Sequence, residues 1–148
     1  MIIWIASYPK SGNTWVRSFL TAYYFCENGT FDINKLNLIE DYPNKQFFKE
    51  KVKQGEIHKH WEESQKAICD QKKVKFLKTH NSLITAFGND FTKPEYSLGV
   101  IYIIRDPRNV ITSVKNHNDL DTYDQALKFM QDENKVLEDY PHLKNYAK

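Results

Sequence analysis

A chain of 148 residues with a formal net charge of +2 is long enough for one domain with a sizeable core, and it carries no global basic field. Charge therefore gives no support to nucleic-acid or membrane-surface binding. The hydrophobic fraction of 41% predicts a folded chain, and two cysteines, Cys26 and Cys69, are too few for a disulfide framework. The apolar N-terminal run is too short for a signal peptide or a membrane span, so we expect a cytoplasmic protein.

The first half of the chain predicts a buried strand followed by a helix. Residues 2–6 are continuously apolar, as in a parallel strand that is covered on both faces. Apolar residues then recur at helical spacing from Thr14 to about residues 28–29. Residues 35–72 are polar, lysine-rich and mostly compatible with helix, and we interpret the charged run at 49–53 as a solvated helix face.

The second half predicts two further strands and a helix. Strands are expected at 74–78 and 99–104, and the glycine- and proline-bounded stretch at 88–94 is expected to be a loop. A helix is expected after Pro107, because proline is favoured in a first helical turn.

The chain ends with one more predicted helix, which completes an alternating pattern. Residues 122–125 form a capping-box pattern and predict a helix through about Leu137. Strands that alternate with helices imply an α/β fold with a mostly parallel sheet. Ligands on such sheets bind at the carboxyl ends of the strands. Lys10, His80 and Arg105 each follow a predicted strand, so we expect them to share one edge of the sheet.

Residues 8–15 (YPKSGNTW) follow the first strand and open the first helix. A helix N-terminus offers unpaired backbone N–H groups and a partial positive charge, which together favour an anion. Lys10 adds a full charge, and Ser11 and Thr14 add hydroxyl donors. The motif is not a Walker A loop, because that pattern places lysine after the last glycine, whereas Lys10 precedes Gly12. The alternative interpretation is an ordinary strand–turn–helix connection with a capping serine.

Residues 105–113 (RDPRNVITS) follow the third strand. Arg105 can form two parallel hydrogen bonds with a phosphate, and Ser113 can supply a hydroxyl if the helix turns back toward the strand end. The alternative is a surface ion pair of Asp106 with Arg105 or Arg108, which would contribute little to stability. Together the motifs at 8–15 and 105–113 predict a ligand with two separated phosphate groups.

His80 ends the sequence Lys78-Thr79-His80 at the second strand. An ordinary histidine pKa of about 6.5 suits a general base, although a structural role is the alternative for a lone histidine. His58 and His60 lie in a charged segment and are expected to be exposed, and no metal site is predicted because no third ligand is evident. Core packing is expected, rather than an acceptor pocket, for the aromatic residues of the segment: Tyr42, Phe47, Phe48 and Trp61.

The segments at 8–15, 78–80 and 105–110 resemble the motifs of the cytosolic-type sulfotransferases, in the family's order and over most of the chain. The resemblance implies a P-loop NTPase-like three-layer fold with a central mostly parallel sheet, as a single domain at 1–148. It also implies the donor PAPS (3′-phosphoadenosine 5′-phosphosulfate), no metal, and in-line transfer of a sulfuryl group to a hydroxyl or amine. The acceptor would be a small molecule that the sequence does not identify.

The resemblance further implies a role for each site residue. Lys10 would contact the 5′-phosphate and the bridging oxygen to sulfur, and Trp15 would stack on adenine. His80 would be the catalytic base, and Lys78 would help to stabilise the transferring sulfuryl group. The residues that would hold the phosphate groups are Ser11, Gly12, Asn13 and Thr14 at the 5′-phosphate, and Arg105 and Ser113 at the 3′-phosphate.

The sequence also departs from the family pattern. Family members are usually longer, and their C-terminal Arg-Lys-Gly segment has no counterpart here, so we expect the N-terminal portion of the family fold with an incomplete nucleotide site. Asn81 stands where leucine is common, which makes the acceptor side more polar, and Asn13 replaces a commoner threonine. A P-loop-type nucleotide kinase or NTPase and a non-catalytic nucleotide-binding module are the alternatives. An apolar face left open by a missing segment would favour a homo-oligomer.

Overall fold

The computed structural model describes the chain in five stretches: residues 1–48, 52, 55–132, 136–140 and 143–146. The strands, in chain order, are β1 (Ile2–Ser7), β2 (Glu40–Asp41), β3 (Lys75–Thr79), β4 (Thr85–Ala86), β5 (Asn89–Asp90), β6 (Ser97–Ile103), β7 (Val136–Tyr140) and β8 (Leu143–Tyr146). Four of them form a parallel sheet in the spatial order β2-β3-β1-β6. The other four form two antiparallel pairs, β4 with β5 and β7 with β8.

Within the described residues, four α-helices connect and follow these strands. They are α1 (Asn13–Phe25), α2 (Trp61–Cys69), α3 (Pro107–His117) and α4 (Tyr123–Gln131). Short 3₁₀ helices occupy Glu27–Gly29, Ile33–Leu38, Lys45–Phe47 and Ile57–His60.

The central sheet separates two helical layers. On one face, Trp4 of β1 and Leu77 of β3 pack in one apolar cluster with Trp61 of α2. On the other face, α1 lies against the sheet, and Arg17 of this helix forms an ion pair with Asp41 of β2. The predicted α/β architecture, a P-loop NTPase-like three-layer fold around a parallel sheet, is therefore confirmed.

Most of the predicted elements are present with shifted ends. The three predicted strands are β1, β3 and β6, and the helices expected from Thr14 and after Pro107 are α1 and α3. The stretch at 88–94 is not all loop, because β5 forms a hairpin with β4. Phe87 and Gly88 make its two-residue turn with positive φ angles of 50° and 79°, a geometry that suits a tight hairpin.

The segment at 35–72 was only partly predicted. It contains short helices, as expected, but also β2, whose two residues are too few to show a period of two. The charged run at 49–53 lies outside the described residues, apart from Val52.

The capping box of α4 is confirmed, but its predicted length is wrong. The Thr122 hydroxyl accepts a hydrogen bond from the Gln125 N–H, and the Gln125 side chain accepts one from the Thr122 N–H. The helix ends at Gln131, and Leu137 belongs to β7. Helices gain most of their stability from a packed apolar face, and the polar run that follows Gln131 offers α3 no further apolar side chain.

His58 is buried, so its predicted exposure is wrong. Only 5% of its surface is exposed, because the 3₁₀ helix Ile57–His60 runs directly into α2 and turns its first residues inward. The His58 ring lies 4.9 Å from the ring of Phe87 and 6.3 Å from that of Trp61. His60 is half-buried against Phe48, so its predicted exposure is wrong as well.

The main core lies between the sheet and α2. Tyr42 and Trp61 are buried in it, and Phe47 and Phe48 pack against it, which confirms their predicted structural role. Leu77, at the middle of β3, is fully buried among these rings. A smaller apolar cluster joins α3 to α4 through Val110, Val114 and Ala126.

We expect Leu77→Ala to lower the free energy of unfolding by about 2–5 kcal/mol, since it leaves a cavity in a fully buried site. Urea denaturation of both proteins measures the difference. Val74→Ala, at an exposed position just before β3, is the control and should change stability by less than about 0.5 kcal/mol. Equal losses for the two variants would contradict the packing described here.

Stability is expected to fall as the pH drops below about 6.5, partly because of His58. Burial lowers the pKa of His58 below its ordinary value of 6.5, and Lys59 lowers it further. Its Nδ1 is buried and has no hydrogen-bond partner within the described residues. Near pH 6.5 the unfolded chain therefore binds a proton at His58 more readily than the folded chain does. The stability that neutral His58 contributes is present above that pH and is lost as the pH falls below it.

Chemical denaturation between pH 7.5 and 5.5 measures this effect as the difference between the wild type and His58→Phe. The variant keeps an aromatic ring in the core and removes the titration, so its stability should depend less on pH. Identical pH slopes would show that His58 does not contribute.

Candidate functional site

The turn between β1 and α1 presents backbone N–H groups at the carboxyl end of the sheet. The N–H of Ser11 donates to the carbonyl of Tyr8 over 3.2 Å, which closes a tight turn through Pro9 and Lys10. Lys10 has a φ of 65°, a left-handed conformation that costs a lysine on the order of 1–3 kcal/mol. A strained backbone at such a turn is typical of functional sites.

Gly12 begins the helix, and it lies where glycine is required. Its φ of 101° is strained for any residue with a Cβ atom, and no side chain caps the helix at this end. The predicted alternative of a serine-capped connection is therefore wrong, because Gly12 and not Ser11 is the N-cap. The first turn of α1 contains no acidic residue, so the positive end of the helix is not neutralised there.

A chain of side chains ties this turn to His80. The buried Asn13 amide donates to the Ile5 carbonyl over 3.0 Å and to Ser7 Oγ over 3.1 Å. Ser7 Oγ lies 3.3 Å from His80 Nδ1, and the Ser7 carbonyl lies 2.8 Å from the same nitrogen. Asn13 at the start of α1 and His80 after β3 are thus connected through Ser7 at the end of β1.

The contact with Ser7 also fixes the protonation pattern of His80. A carbonyl oxygen can only accept, so Nδ1 carries the hydrogen at this contact. In the neutral ring the lone pair then lies on Nε2, which is the nitrogen that can take up a proton.

Arg105 connects the two phosphate motifs. It follows β6, and its Nη1 donates to the Lys10 carbonyl over 3.1 Å. Asp106 caps α3 by accepting from the Arg108 N–H, and its carboxylate pairs with the Arg108 guanidinium at 2.6 Å. Arg108 lowers the pKa of Asp106 through this hydrogen bond. The surface ion pair considered as an alternative therefore exists, and of the two arginines considered it is Arg108 that pairs with Asp106.

Lys78 lies on the α1 side of the sheet in an ion pair. Its Nζ is 3.3 Å from Asp41 Oδ2, and the other carboxylate oxygen of Asp41 is 3.1 Å from Arg17 Nη1. Burial lowers the pKa of the Arg17 guanidinium, and the Asp41 carboxylate opposes that shift. A guanidinium has a pKa so far above neutrality that Arg17 remains charged.

A cavity of about 460 Å³ opens beside His80 on the opposite face of the sheet. Its wall is largely apolar, with Trp4, Phe91 and Tyr102 among the lining residues, and Ser7 and His80 form part of its polar end. Lys78 does not line this cavity. His80 and Lys78 therefore lie on opposite faces of the sheet. The volume fits a small organic molecule.

The structure brings three of the predicted residues to one edge. Lys10, His80 and Arg105 all follow parallel strands; Arg105 donates to the Lys10 carbonyl, and His80 contacts Ser7 just before the turn. Trp15 projects from the first turn of α1 with 73% of its surface exposed. Ser113 lies in the second turn of α3 and is half-buried. Their contacts with a nucleotide stay predictions.

Sequence reasoning missed three residues that hold the site together. Ser7 follows the apolar run of β1. A polar residue at a predicted strand end could have identified it as a candidate site residue. Arg17 falls four residues after Asn13, on the same helix face, but its burial depends on β2. Asp41 belongs to that strand, and no local pattern distinguishes it from the polar residues around it.

No group of three or more His, Cys, Asp or Glu side chains that could hold a metal ion is present among the described residues. Within those same stretches, each helix is too short or too polar to cross a membrane.

The chain matches the model of a known family. The family model described as Sulfotransferase domain aligns with residues 2–146, which covers nearly the whole chain. No curated protein matches the sequence.

Proposed function

This chain belongs to the sulfotransferase family, and from that premise we propose that it transfers a sulfuryl group from PAPS to a hydroxyl or amine of a small molecule. The observation that carries the proposal is the meeting of the β1–α1 turn, His80 and Arg105 at one sheet edge, beside a cavity of about 460 Å³. The family favours this reaction over the P-loop-type kinase or NTPase alternative. A cytoplasmic location and a single domain at 1–148 belong to the same proposal.

The donor is proposed to bind along the turn and toward α3. The N–H groups of residues 11–14 and the Lys10 ammonium face the 5′-phosphate, where a helix N-terminus favours negative charge. Arg105 and Ser113 bind the 3′-phosphate, and Trp15 offers its exposed ring to adenine. Lys78 stabilises the transferring group from the α1 side.

The acceptor is proposed to lie in the cavity, with its nucleophilic atom toward His80. His80 Nε2 accepts the acceptor proton, while Ser7 holds the ring by its Nδ1–H. A bond forms between the acceptor atom and sulfur, and the bond between sulfur and the bridging oxygen breaks. Lys10 stabilises the negative charge that builds on the leaving oxygen, and the phosphate leaves as part of PAP (3′-phosphoadenosine 5′-phosphate).

Calorimetric titration of PAP tests the donor site. We expect micromolar binding by the wild type and a loss of about 10- to 100-fold in Lys10→Ala and in Arg105→Ala, because each removes a charge-assisted phosphate contact. Arg108→Ala is the matched control, since Arg108 is exposed and already paired with Asp106. No binding by the folded wild type, or an equal loss in Arg108→Ala, would refute the donor site.

His80→Gln tests the base. We expect the transfer rate to fall by about 10²- to 10⁴-fold while the PAP affinity stays within about twofold. PAP release from PAPS, measured over a panel of phenols, alcohols and amines, reports the rate. His117→Gln, at an exposed position on α3, is the control. An unchanged rate in His80→Gln would remove it from the mechanism, and PAP binding without any transfer would support the non-catalytic module.

A further inference from the structure

Asp41 is shared by two cations that differ in how firmly they are held. Arg17 donates from Nη2 to the carbonyls of Ile39 and Leu36, at 2.6 Å and 3.3 Å, in addition to its ion pair with Asp41 at 3.1 Å. Arg17 is also buried, so its position is fixed by three acceptors. Among the residues that the structure describes, Lys78 has one contact of this kind, to Asp41 Oδ2 at 3.3 Å.

The hydrogen bond from Lys78 to Asp41 is long for a contact between two charged groups. Charge-assisted N–H···O contacts typically span about 2.7–2.9 Å. The neighbouring pair on the same two strands, Glu40 with Lys75, has a separation of 2.7 Å. Arg17 keeps two carbonyl acceptors if it loses Asp41, whereas Asp41 is the acceptor that the described residues give Lys78, so Lys78 is the partner that can exchange.

Asp41 can release Lys78 without becoming an unpaired buried charge. Arg17 would still neutralise it, which matters because a carboxylate left alone in a protein interior is strongly destabilising. A polar cavity of about 280 Å³, lined by Arg17, Asp41 and Asn44 among others, also gives the carboxylate access to water.

We propose that Asp41 is the resting counter-ion of Lys78, and that Lys78 exchanges this carboxylate for the anionic end of the donor. The inference rests on the proposed function, because it takes Lys78 to be a ligand of the 5′-phosphosulfate end of the donor, of which PAP keeps the phosphate. Asp41 and the donor compete for one ammonium group, so Asp41 weakens the binding of donor and product. It therefore eases the departure of PAP after transfer.

A double-mutant cycle on the PAP affinity tests the exchange. In the wild-type background, Asp41→Asn should tighten PAP binding by about threefold to fivefold, the range expected for releasing a weak ion pair. In the Lys78→Met background, the same substitution should leave the PAP affinity unchanged, because no ammonium is left to release. Calorimetry measures all four proteins at one ionic strength.

Glu40→Gln is the matched control for charge alone. It removes a carboxylate one residue away, whose partner Lys75 lies at the start of β3, far from the carboxyl edge. It should not change the PAP affinity. Three results would overturn the inference: weaker or equal binding in Asp41→Asn, equal tightening with and without Lys78, or equal tightening in Glu40→Gln.

A second measurement needs no change at Asp41, which guards against a variant that fails to fold. The ¹³C carboxylate signal of Asp41 should shift on saturation with PAP in the wild type but not in Lys78→Met. A signal that does not move in the wild type would overturn the exchange. Absence of PAP binding in the folded wild type is a different result, because it refutes the donor site itself and the inference with it.

Discussion

The end of β1 is the point on which the rest of the site depends. The backbone carbonyl and hydroxyl of Ser7 both contact His80 Nδ1, and the same hydroxyl accepts from the Asn13 amide. One residue thus sets the orientation of the imidazole and the start of α1 together. A shift of the strand end would move the β1–α1 turn and His80 together, so the distance between them is set by the end of β1.

The sheet also divides the chemistry between its two faces. His80 lines an apolar cavity on the α2 side, whereas Lys78 lies in an ionic network on the α1 side. An apolar wall suits an uncharged acceptor, and a cationic network suits an anionic donor. Lys78 lies in β3 and His80 follows it directly, so the end of one strand places a side chain in each of the two environments.

The parts of the fold that sequence predicted are those fixed by local physics. The apolar run of β1, the Pro107 start of α3 and the Thr122 capping box each depend on neighbouring residues alone, and each was predicted correctly. The two-residue strand β2 and the burial of His58 depend on contacts with β3 and with the β4–β5 hairpin. Such contacts join residues far apart in the chain, so no local pattern contains them.

The same limit applies within the site. The anion-binding turn at Lys10 and Gly12 can be predicted locally, because that prediction needs only a strand end, a glycine turn and a helix start. The partners of the lysine at 78 follow only from β2 lying beside β3, which places Asp41 in register with Lys78. Motifs therefore predict candidate ligand-binding groups, whereas the counter-ions of those groups are set by the order of the strands.

Arg105 connects the motif at 105–113 to the motif at 8–15. Its contact with the Lys10 carbonyl uses one of five N–H donors, so the guanidinium can hold the strained turn and still bind an anion. An anion at Arg105 would draw the guanidinium toward itself and change its hold on the Lys10 backbone. If Arg105 binds the 3′-phosphate as proposed, the conformation of the turn and the occupancy of that position are coupled through a single side chain.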